Sequence, residues 1–368
     1  MKVALVYDRV NKWGGAERVL LALHEIFPKA PLYTSVYDQQ KAPWAKVFKV
    51  KTSFLQKFPF AKAHHEFYAV FMPLAFESFN FDKYDLVISV TSESSKGIIT
   101  RSNTRHISYI LTPTRYLWSG YDEYFKNIFL RIVSWPIVVY LRNWDKIASQ
   151  RPDTLIAISE EVKKRIKKYY DTDAQVIYPP LGISPTDYGL RHSRKAVVGS
   201  RPTESYFLIV SRLVPYKKID LAIKVFNKLK LSLKIVGRGS EEERLREMAK
   251  ENIEFLGHLT DLELVKYYKE CRALVFPGKE DFGLTIIEAQ GFGKPVIAYS
   301  QGGALETIID GQTGIFFENQ TQKSLEQAIN KFKRKKFDPS DCIKQARRFS
   351  MEVFKKKVEK EISQITKN

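Results

Sequence analysis

The stretch Phe276-Pro277-Gly278-Lys279-Glu280-Asp281-Phe282-Gly283-Leu284-Thr285-Ile286-Ile287-Glu288-Ala289 predicts a strand, a turn and a helix in direct succession. The apolar run at 273–276 is typical of a buried parallel strand. Pro277 and Gly278 mark a turn, and the helix is expected to begin near Gly283. Glu280 then lies at the carboxyl edge of the strand, and Glu288 lies at least a turn inside the helix.

The start of this helix is expected to bind an anion. The first N–H groups of a helix have no partner within it, and they carry partial positive charge. The backbone amides of Phe282, Gly283 and Leu284 are therefore candidates for holding phosphate, while Glu280 and Glu288 are candidates for accepting hydrogen bonds from hydroxyl groups. A ligand that combines phosphate with sugar hydroxyls, such as a nucleotide-sugar, fits this pattern.

Two further loops follow strands of the same predicted sheet. The loop after the strand at 206–211 carries Arg212 and Lys217, two cations that can stabilise the negative charge developing on a diphosphate leaving group. The turn at Gly237 follows the strand at 233–236 and precedes a helix, which again suits a nucleotide. Surface exposure without function is the alternative for both cations in so basic a chain.

The rhythm of strands and helices predicts an α/β protein with two Rossmann-like, doubly wound domains facing a cleft. Strands and helices alternate cleanly from 206 to 317, and more loosely in the N-terminal half. A chain of 368 residues is too long for one ordinary core. We predict a first domain at 1–180, a linker at 181–204, a second domain at 205–345 and a C-terminal helical segment at 346–368 that packs back on the first domain.

The first domain opens with a strand at 2–8, the pair Gly14-Gly15 and a helix from Ala16. These glycines can adopt positive φ and let a ligand approach the backbone at the helix start. Further strands are predicted at 32–37, 84–91, 106–111 and 154–158. The aromatic-rich stretch at 53–79 is expected to be helical, and either core packing or a surface that meets lipid would explain its composition.

A second candidate binding loop follows the strand at 106–111. Ligands of open α/β sheets gather beyond the carboxyl ends of the strands. Arg115 is placed there to meet an anionic group, and Tyr116 and Trp118 offer flat faces for a sugar. Packing within the domain is the alternative for the aromatic pair.

Composition limits the class of protein. The chain is 44% hydrophobic with only two cysteines, Cys271 and Cys342, for which we expect reduced, buried thiols and a cytoplasmic protein. It runs directly into a strand with no predicted signal peptide, and no apolar run approaches the roughly 20 residues that span a bilayer. The apolar stretch at 125–144 is interrupted by Arg131, Pro136 and Arg142, which favours either burial or an amphipathic docking surface.

The formal net charge of +19 calls for an anionic partner or a solvated surface. Nucleic acid, an anionic membrane and a phosphorylated substrate are the three candidate partners. No zinc-finger spacing or RNA-binding signature occurs, so we predict no nucleic-acid partner. A solvated basic surface and an anionic membrane surface remain as explanations.

Several of these motifs resemble glycosyltransferase family 4, whose members are retaining enzymes of the GT-B fold, and the likeness covers nearly the whole chain. The matching stretches are Trp13-Gly14-Gly15-Ala16-Glu17-Arg18-Val19, Arg115-Tyr116-Leu117-Trp118, Ser211-Arg212-Leu213-Val214-Pro215-Tyr216-Lys217, the pair Glu280-x7-Glu288, and Gly302-Gly303-Ala304-Leu305-Glu306-Thr307. The chain is most similar to bacterial transferases of the GDP-mannose type, which build surface polysaccharides or lipid-linked glycans.

The resemblance implies a role for each matching residue. Arg212 and Lys217 would bind the donor diphosphate, Glu280 the hydroxyls of the donor sugar, and Glu288 the ribose. Gly14 and Gly15 would abut the donor from the other domain. The resemblance implies no metal and no cofactor beyond the nucleotide-sugar donor, with GDP-mannose as first choice.

One position departs from the family pattern. Relatives carry a histidine in a Tyr-x-His-Thr-Pro arrangement, and this chain has Leu111 there, in Tyr109-Ile110-Leu111-Thr112-Pro113. His106 is expected at the other end of the strand and is a poor substitute. The substitution raises the alternatives of altered substrate handling or reduced activity.

The sequence therefore predicts a retaining glycosyltransferase that moves a hexose, mannose first, to a glycan or lipid-linked acceptor at the inner face of the cell membrane. A sugar-nucleotide-binding protein with reduced or lost catalysis is the alternative that Leu111 favours. A non-hydrolysing epimerase or a phosphorylase would share the architecture, but epimerases lack the Glu-x7-Glu turn, and no pyridoxal-bearing lysine site is evident.

Overall fold

The chain divides into two units, each built on one parallel sheet. The computed structural model describes residues 1–183 and 206–366; the part of the predicted linker at 184–204 lies outside them. One unit comprises Met1–Pro180 with Phe354–Asn368, and the other comprises Leu181–Val353. The predicted fold class of two doubly wound α/β domains is confirmed.

The first unit contains, among the described residues, a seven-stranded parallel sheet in the order β3-β2-β1-β4-β5-β6-β7. Its elements are β1 (Val3–Tyr7), α1 (Gly15–Ile26), β2 (Leu32–Thr34), β3 (Val50–Thr52), α2 (Met72–Glu77), β4 (Leu86–Thr91), β5 (Arg105–Ile110), α3 (Tyr121–Tyr124), α4 (Ile128–Ala148), β6 (Thr154–Ala157), α5 (Glu160–Tyr170) and β7 (Gln175–Val176). The strand order reverses between β1 and β4, which is where the crevice of a doubly wound sheet opens.

The strands of this sheet are short apolar runs covered on both faces. Every residue of β1 and of β4 is buried, as expected for a parallel sheet with helices on either side. Val19, Leu20 and Leu23 form the buried stripe of α1, as the 3.6-residue period predicts. Ser159 caps α5, because its hydroxyl accepts a hydrogen bond from the Val162 amide.

The stretch at 53–79 differs from the predicted helix. It forms two short 3₁₀ helices, Phe54–Lys57 and His65–Phe71, followed by α2. Between them lies Pro59, which lacks an N–H donor, and Phe60, whose φ of 57° is incompatible with a right-handed helix. The aromatic side chains of 53–79 therefore belong to several short elements and do not line one face of a single amphipathic helix.

The second unit contains, within the described range, a six-stranded parallel sheet in the order β10-β9-β8-β11-β12-β13. Its elements are β8 (Phe207–Val210), α6 (Ile219–Leu229), β9 (Leu233–Val236), α7 (Glu242–Met248), β10 (Ile253–Gly257), α8 (Asp261–Glu270), β11 (Leu274–Phe276), α9 (Leu284–Gly291), β12 (Val296–Tyr299), α10 (Ala304–Thr307), β13 (Gly314–Phe317), α11 (Gln322–Arg334) and α12 (Pro339–Arg347), and the chain continues into α13 (Met351–Thr366). The order reverses between β8 and β11, so the loops after these two strands flank the crevice.

Most of α13 belongs to the first unit. The ring of Phe354 packs edge-on against Tyr109, with 6.2 Å between centroids, and Lys357 Nζ lies 5.5 Å from the centre of the Tyr178 ring.

The two cysteines, Cys271 and Cys342, are free and buried, and burial raises the pKa of each thiol to about 12. The predicted packed, reduced thiols are confirmed.

Candidate active site

The centre of the site is an ion pair between the loops that follow β8 and β11. Lys217 ends a short 3₁₀ helix, Pro215–Lys217, and its ammonium group pairs with the Glu280 carboxylate in the turn after β11. The Lys217 side chain is 8% exposed and the Glu280 side chain 29% exposed. Since β8 and β11 are neighbours at the point where the strand order reverses, the fold brings these distant residues together at the crevice.

The turn at Glu280 is fixed by backbone contacts on two sides. A Cβ atom added at Gly278 would lie 2.9 Å from Lys217 Cα, so the Pro-Gly turn abuts the lysine loop directly. On the other side the Gly303 amide donates a hydrogen bond of 2.9 Å to the Glu280 carbonyl oxygen. These contacts join the loops after β8, β11 and β12 into one rigid edge of the sheet.

The helix that follows the turn begins where the sequence predicts. Gly283 precedes α9 with φ of 87°, a left-handed conformation that glycine adopts without penalty. The Phe282 ring is buried and packs against Phe349, with 5.5 Å between centroids. Phe282 therefore offers only its backbone to a ligand, while the first amides of α9, from Leu284 on, lie at the carboxyl edge of the sheet.

Glu288 lies inside α9 and is 2% exposed. The Tyr268 hydroxyl donates a hydrogen bond of 2.8 Å to its Oε2 atom, and the Tyr268 ring is stacked on Phe292. The hydroxyl fixes the orientation of the buried carboxylate. Tyr268 is a supporting residue that the sequence analysis did not identify.

Arg212 and Lys217 share a loop but have different environments. Arg212 is exposed, and its Nη2 atom donates a hydrogen bond of 2.5 Å to the Tyr216 hydroxyl. Lys217 Nζ lies 5.1 Å from the centre of the Tyr216 ring. Tyr216 thus contacts both cations, and the structure places Lys217 at the turn with Arg212 at the solvent side.

Gly237 allows the loop after β9 to pack closely against the loop after β8. Its φ is 134°, and an added Cβ atom would lie 1.8 Å from the Ser211 carbonyl oxygen. The next residue in the turn, Arg238, accepts a hydrogen bond of 2.9 Å from the Leu213 amide. The glycine is therefore required for the β9 loop to approach the β8 loop, whatever its contact with a nucleotide.

In the first unit, the expected positive φ at the glycine pair is wrong. Gly14 has φ of 176°, which is extended backbone, and Gly15 is the first residue of α1. The reason for the small residue is proximity, because an added Cβ atom at Gly14 would lie 3.2 Å from the Glu17 carboxylate. Glu17 itself is buried and accepts a hydrogen bond of 2.7 Å from the Tyr7 hydroxyl, and burial raises the pKa of both groups.

A buried aspartate at the crevice of this sheet was not predicted. Asp8 follows β1, and its carboxylate accepts hydrogen bonds of 2.6–3.0 Å from the backbone amides of Ser92, Glu93, Ser94 and Ser95 after β4. The carboxylate thereby determines the path of the β4 loop. The sequence signal was available, since an Asp directly after a buried strand seldom lacks donors.

A charged cluster lies beside that loop. Arg9 pairs with the Glu93 carboxylate, and His65 Nε2 lies 4.0 Å from the other Glu93 oxygen. Burial, followed by the positive charge of Arg9, lowers the pKa of His65 to about 4, so this imidazole is neutral at pH 7. The cluster occupies the carboxyl edge of the first sheet, where a doubly wound fold binds ligands.

The loop after β5 packs against its own unit. Arg115 Nη2 lies 3.9 Å from Glu123. The Trp118 ring is stacked on Tyr169 at 5.1 Å, and its Nε1 atom donates a hydrogen bond of 2.7 Å to Asp145. For Trp118 the packing alternative is therefore confirmed.

Leu111 immediately follows β5, at the strand end where the family pattern has histidine. Its amide donates a hydrogen bond of 2.8 Å to the Thr91 carbonyl oxygen. His106 is the second residue of β5, at the opposite end of the strand, and is buried. The expected position of His106, at the other end of the strand from Leu111, is confirmed.

Comparisons with known proteins find a family match over less than half of the chain. Residues 191–349 match the family described as Glycosyl transferases group 1. The chain is 26% identical over 193 residues to the uncharacterized glycosyltransferase MJ1178 of Methanocaldococcus jannaschii, covering 51% of this chain and 52% of that protein. It is 26% identical over 201 residues to O-antigen chain mannosyltransferase C of Escherichia coli, covering 52% of each. The chain thus spans about half the length of these relatives.

Among solved structures, Anabaena HepE in complex with UDP superposes with a TM-score of 0.73 at 18% identity, covering 99% of this chain and 100% of that one. Likeness at this identity establishes the fold, and that fold is GT-B. The match at 191–349 supports the expectation of a transferase enzyme. The chain is therefore similar to glycosyl transferases group 1 over these residues, and its fold is GT-B.

Proposed function

We propose that the protein is a retaining glycosyltransferase that moves a hexose, mannose first, from a nucleoside-diphosphate sugar to a glycan or lipid-linked acceptor. The observation that carries this proposal is the pairing of Lys217 with Glu280 at the turn that opens α9. This arrangement sets a cation, a carboxylate and a helix N-terminus together at the switch point of the second sheet.

The donor would be held by three kinds of contact. Lys217 and Arg212 bind the diphosphate together with the amides at the start of α9. Glu280 accepts hydrogen bonds from the hydroxyls of the donor sugar, and Glu288, oriented by Tyr268, holds the ribose. On donor binding Lys217 exchanges part of its contact with Glu280 for a phosphate oxygen, so each member of the pair gains a ligand partner.

The chemistry we propose is transfer on the front face of the sugar. The bond from the anomeric carbon to the diphosphate oxygen breaks, and the acceptor hydroxyl bonds to the same face. The departing phosphate oxygen takes the acceptor proton, so no histidine at position 111 is needed. Lys217, Arg212 and the α9 amides stabilise the charge on the leaving diphosphate, which is the task that a metal ion performs in other transferases.

The choice of donor and acceptor rests on relatives. The Escherichia coli relative is named O-antigen chain mannosyltransferase C, which supports mannose and a cell-surface polysaccharide as product. A Corynebacterium glutamicum relative, 26% identical over 218 residues, is named a GDP-mannose-dependent mannosyltransferase, which supports GDP-mannose as donor. The HepE structures hold UDP or UDP-glucose, so a uridine donor is the competing choice. We propose peripheral attachment at an anionic membrane, at the cytoplasmic face, where lipid-linked acceptors are available.

The decisive assay mixes the full chain with GDP-mannose, UDP-glucose, UDP-galactose and UDP-N-acetylglucosamine, with lipid extract as acceptor, and follows nucleotide release. We expect release from one donor and its loss in Glu280→Ala. Glu254→Ala is the matched control, because Glu254 pairs with Lys234 on β10 and β9, at an exposed position. Full turnover by Glu280→Ala would contradict the assignment of the site.

A second candidate function is sugar-nucleotide binding without catalysis. Leu111 favours it, because the position after β5 presents an isobutyl group where the family pattern has an imidazole. Calorimetric binding of a nucleotide-sugar without nucleotide release, in the presence of every acceptor tried, would support this function. Restoration of turnover by Leu111→His would show that the lost imidazole is the cause.

A further inference from the structure

The first ten residues of α4 form a helix segment whose apolar side chains are exposed. Within 128–137 the exposed fractions of the apolar side chains lie between 45% and 69%, for Ile128, Phe129, Leu130, Ile132, Val133, Trp135 and Ile137. Burial of α4 begins only at Val138 and continues through Leu141, Asp145 and Ala148. The second half of the helix is therefore buried against the unit, while the apolar side chains of its first half are exposed.

A second group of exposed apolar side chains lies in the stretch that includes the 3₁₀ helix His65–Phe71 and the start of α2. Phe67 is 75% exposed and Leu74 57% exposed. Ala69 of this stretch packs on the cluster of Leu117, Val138 and Leu141, which connects the stretch to the anchored half of α4. We call the exposed apolar side chains of 128–137, Phe67 and Leu74 together the apolar face.

The apolar face differs from the scattered exposed apolar residues of ordinary surfaces. Contiguous apolar patches mark binding sites for protein or lipid. A protein groove covers one stripe of a helix and leaves the opposite side polar. At about 100° per residue the apolar side chains of 128–137 cover about 220° of the circumference of α4, and Arg131 and Ser134 occupy the remaining side. A fluid apolar phase can cover so wide an arc, whereas a folded groove covers a narrower stripe.

The dimensions of the apolar face suit one leaflet of a bilayer. Ten helical residues extend about 15 Å, half of the roughly 30 Å hydrocarbon core. Among the described residues, no helix combines the length and the apolar run needed to cross a membrane. The segment is therefore too short to span the hydrocarbon core.

Charged and amphipathic side chains surround the segment. Lys126 precedes the segment. The Arg131 guanidinium donates a hydrogen bond of 2.6 Å to the Phe125 carbonyl oxygen and pairs with Asp122 at 2.7 Å, so this cation lies at the N-terminal end of the helix. Tyr124 and Tyr140, at either end, have the amphipathic rings that prefer the headgroup region. Together with the net charge of +19, this arrangement favours an anionic lipid surface.

We propose that residues 128–137, with the neighbouring apolar side chains of Phe67 and Leu74, insert into the interfacial region of an anionic lipid bilayer. The proposal rests on the proposed function in one respect, that a lipid-linked acceptor would be reached at that surface. Insertion itself needs neither donor nor turnover, so the two proposals can fail separately.

The first test measures binding of the full chain to vesicles by flotation. We compare vesicles of phosphatidylcholine with vesicles that contain phosphatidylglycerol as well, for the wild type, Ile132→Glu, Phe67→Glu and Leu262→Glu. Ile132 is 68% exposed and Leu262, on α8 of the second unit, is 67% exposed, so the two variants add the same charge at equally exposed apolar positions. We expect binding to phosphatidylglycerol vesicles, a loss of about tenfold or more in Ile132→Glu and Phe67→Glu, and wild-type binding in Leu262→Glu.

The second measurement locates the segment in the bilayer. Trp135 is 62% exposed and lies within the segment. Vesicles with brominated acyl chains should quench tryptophan emission of the wild type, and the quenching should fall to background in Trp135→Phe. Nucleotide binding, measured by calorimetry on Ile132→Glu, should equal that of the wild type.

Other outcomes distinguish membrane insertion from its alternatives. Equal loss of vesicle binding in Leu262→Glu would show that charge anywhere on the surface is responsible. Failure of the wild type to bind either vesicle, together with a concentration-dependent dimer that Ile132→Glu abolishes, would identify a second copy of the chain as the occupant. Vesicle binding by a protein that turns over no donor would leave this inference standing and reject the proposed transferase activity.

Discussion

Lys96 Nζ lies 2.5 Å from Asp145 Oδ1, and both side chains are only 1% exposed. The same carboxylate accepts hydrogen bonds from the Trp118 indole at 2.7 Å and from the Tyr170 hydroxyl at 2.8 Å. Asp145 lies on α4, while its donors lie on the loops after β4 and β5 and on α5. This one carboxylate therefore ties together the elements around the anchored half of α4.

We predict that Asp145→Ala lowers the free energy of unfolding by about 3–5 kcal/mol, because it leaves the Lys96 ammonium buried without its counter-charge. Urea denaturation measures the change. Glu359→Ala is the control, since Glu359 pairs with Lys355 on the surface of α13 and exposed pairs of this kind contribute less than about 0.5 kcal/mol. Equal midpoints for the two variants would show that the buried pair does not stabilise the unit.

Asp8 should determine the order of the loop after β4. Its carboxylate accepts hydrogen bonds from consecutive backbone amides, including Ser94 at 2.9 Å and Ser95 at 2.8 Å. Hydrogen bonds to a buried charge contribute about 1.5–3 kcal/mol each, so Asp8→Asn should destabilise the loop more than the strands around it. Hydrogen exchange checks this prediction: the amides of 92–95 should exchange faster while those of β5 keep their protection. Unchanged exchange at Ser94 and Ser95 would show that the loop holds its path without the carboxylate.

The sequence predicted the second unit better than the first, for a physical reason. Its strands are continuous apolar runs bounded by turn residues, and β9 (Leu233–Val236) begins and ends where the sequence places it. The strand predicted at 273–276 forms at Leu274–Phe276. In the first unit, β3 (Val50–Thr52) was missed because its residues are only half-buried and contain no apolar run.

The sequence identified the site residues that follow predicted strands directly. It could not show which of those residues contact one another, because those contacts depend on how the strands and helices pack. Glu280, Lys217 and the start of α9 follow from residue type and from the carboxyl ends of predicted strands. That Lys217 would pair with Glu280 depends on β8 lying beside β11, where Leu208 pairs with Leu274, and no local pattern reveals that pairing. The role of Tyr268 beside Glu288 was hidden for the same reason, since twenty positions and a change of element separate them.

Buried histidines should make the protein sensitive to mild acid. Burial lowers the pKa of His106 to about 3 and that of His65 to about 4, both from 6.5. The unfolded chain then binds protons that the folded chain does not, so stability is complete above pH 6.5 and falls as the pH drops towards 4. The expected slope is about 1.4 kcal/mol per pH unit for each histidine.

His106→Asn tests this slope. His106 Nε2 lies 2.9 Å from the Ser89 hydroxyl, and asparagine keeps a polar group at that site without a titrating ring. Urea midpoints at intervals between pH 7 and pH 4 should fall less steeply for the variant, even if it is less stable at pH 7. Parallel curves for the two proteins would show that His106 does not contribute to acid sensitivity.

Lys217 and Glu280 should be energetically coupled in nucleotide binding. Lys217→Ala removes a phosphate contact and also leaves the Glu280 charge facing the diphosphate, so the dissociation constants for GDP and UDP should rise by about 10–100-fold in calorimetry for whichever nucleotide binds. Glu280→Ala should change these constants little, because the carboxylate contacts the sugar and not the diphosphate. The double variant Lys217→Ala/Glu280→Ala should therefore bind nucleotide more tightly than Lys217→Ala alone, since the repelling charge is gone.

Lys224→Ala, which removes an exposed cation that pairs with Asp220 on α6, is the control and should bind as the wild type does. If nucleotide binding by Lys217→Ala equalled that of the wild type, the diphosphate would bind elsewhere, and the pair of Lys217 and Glu280 would serve only to hold the two loops together.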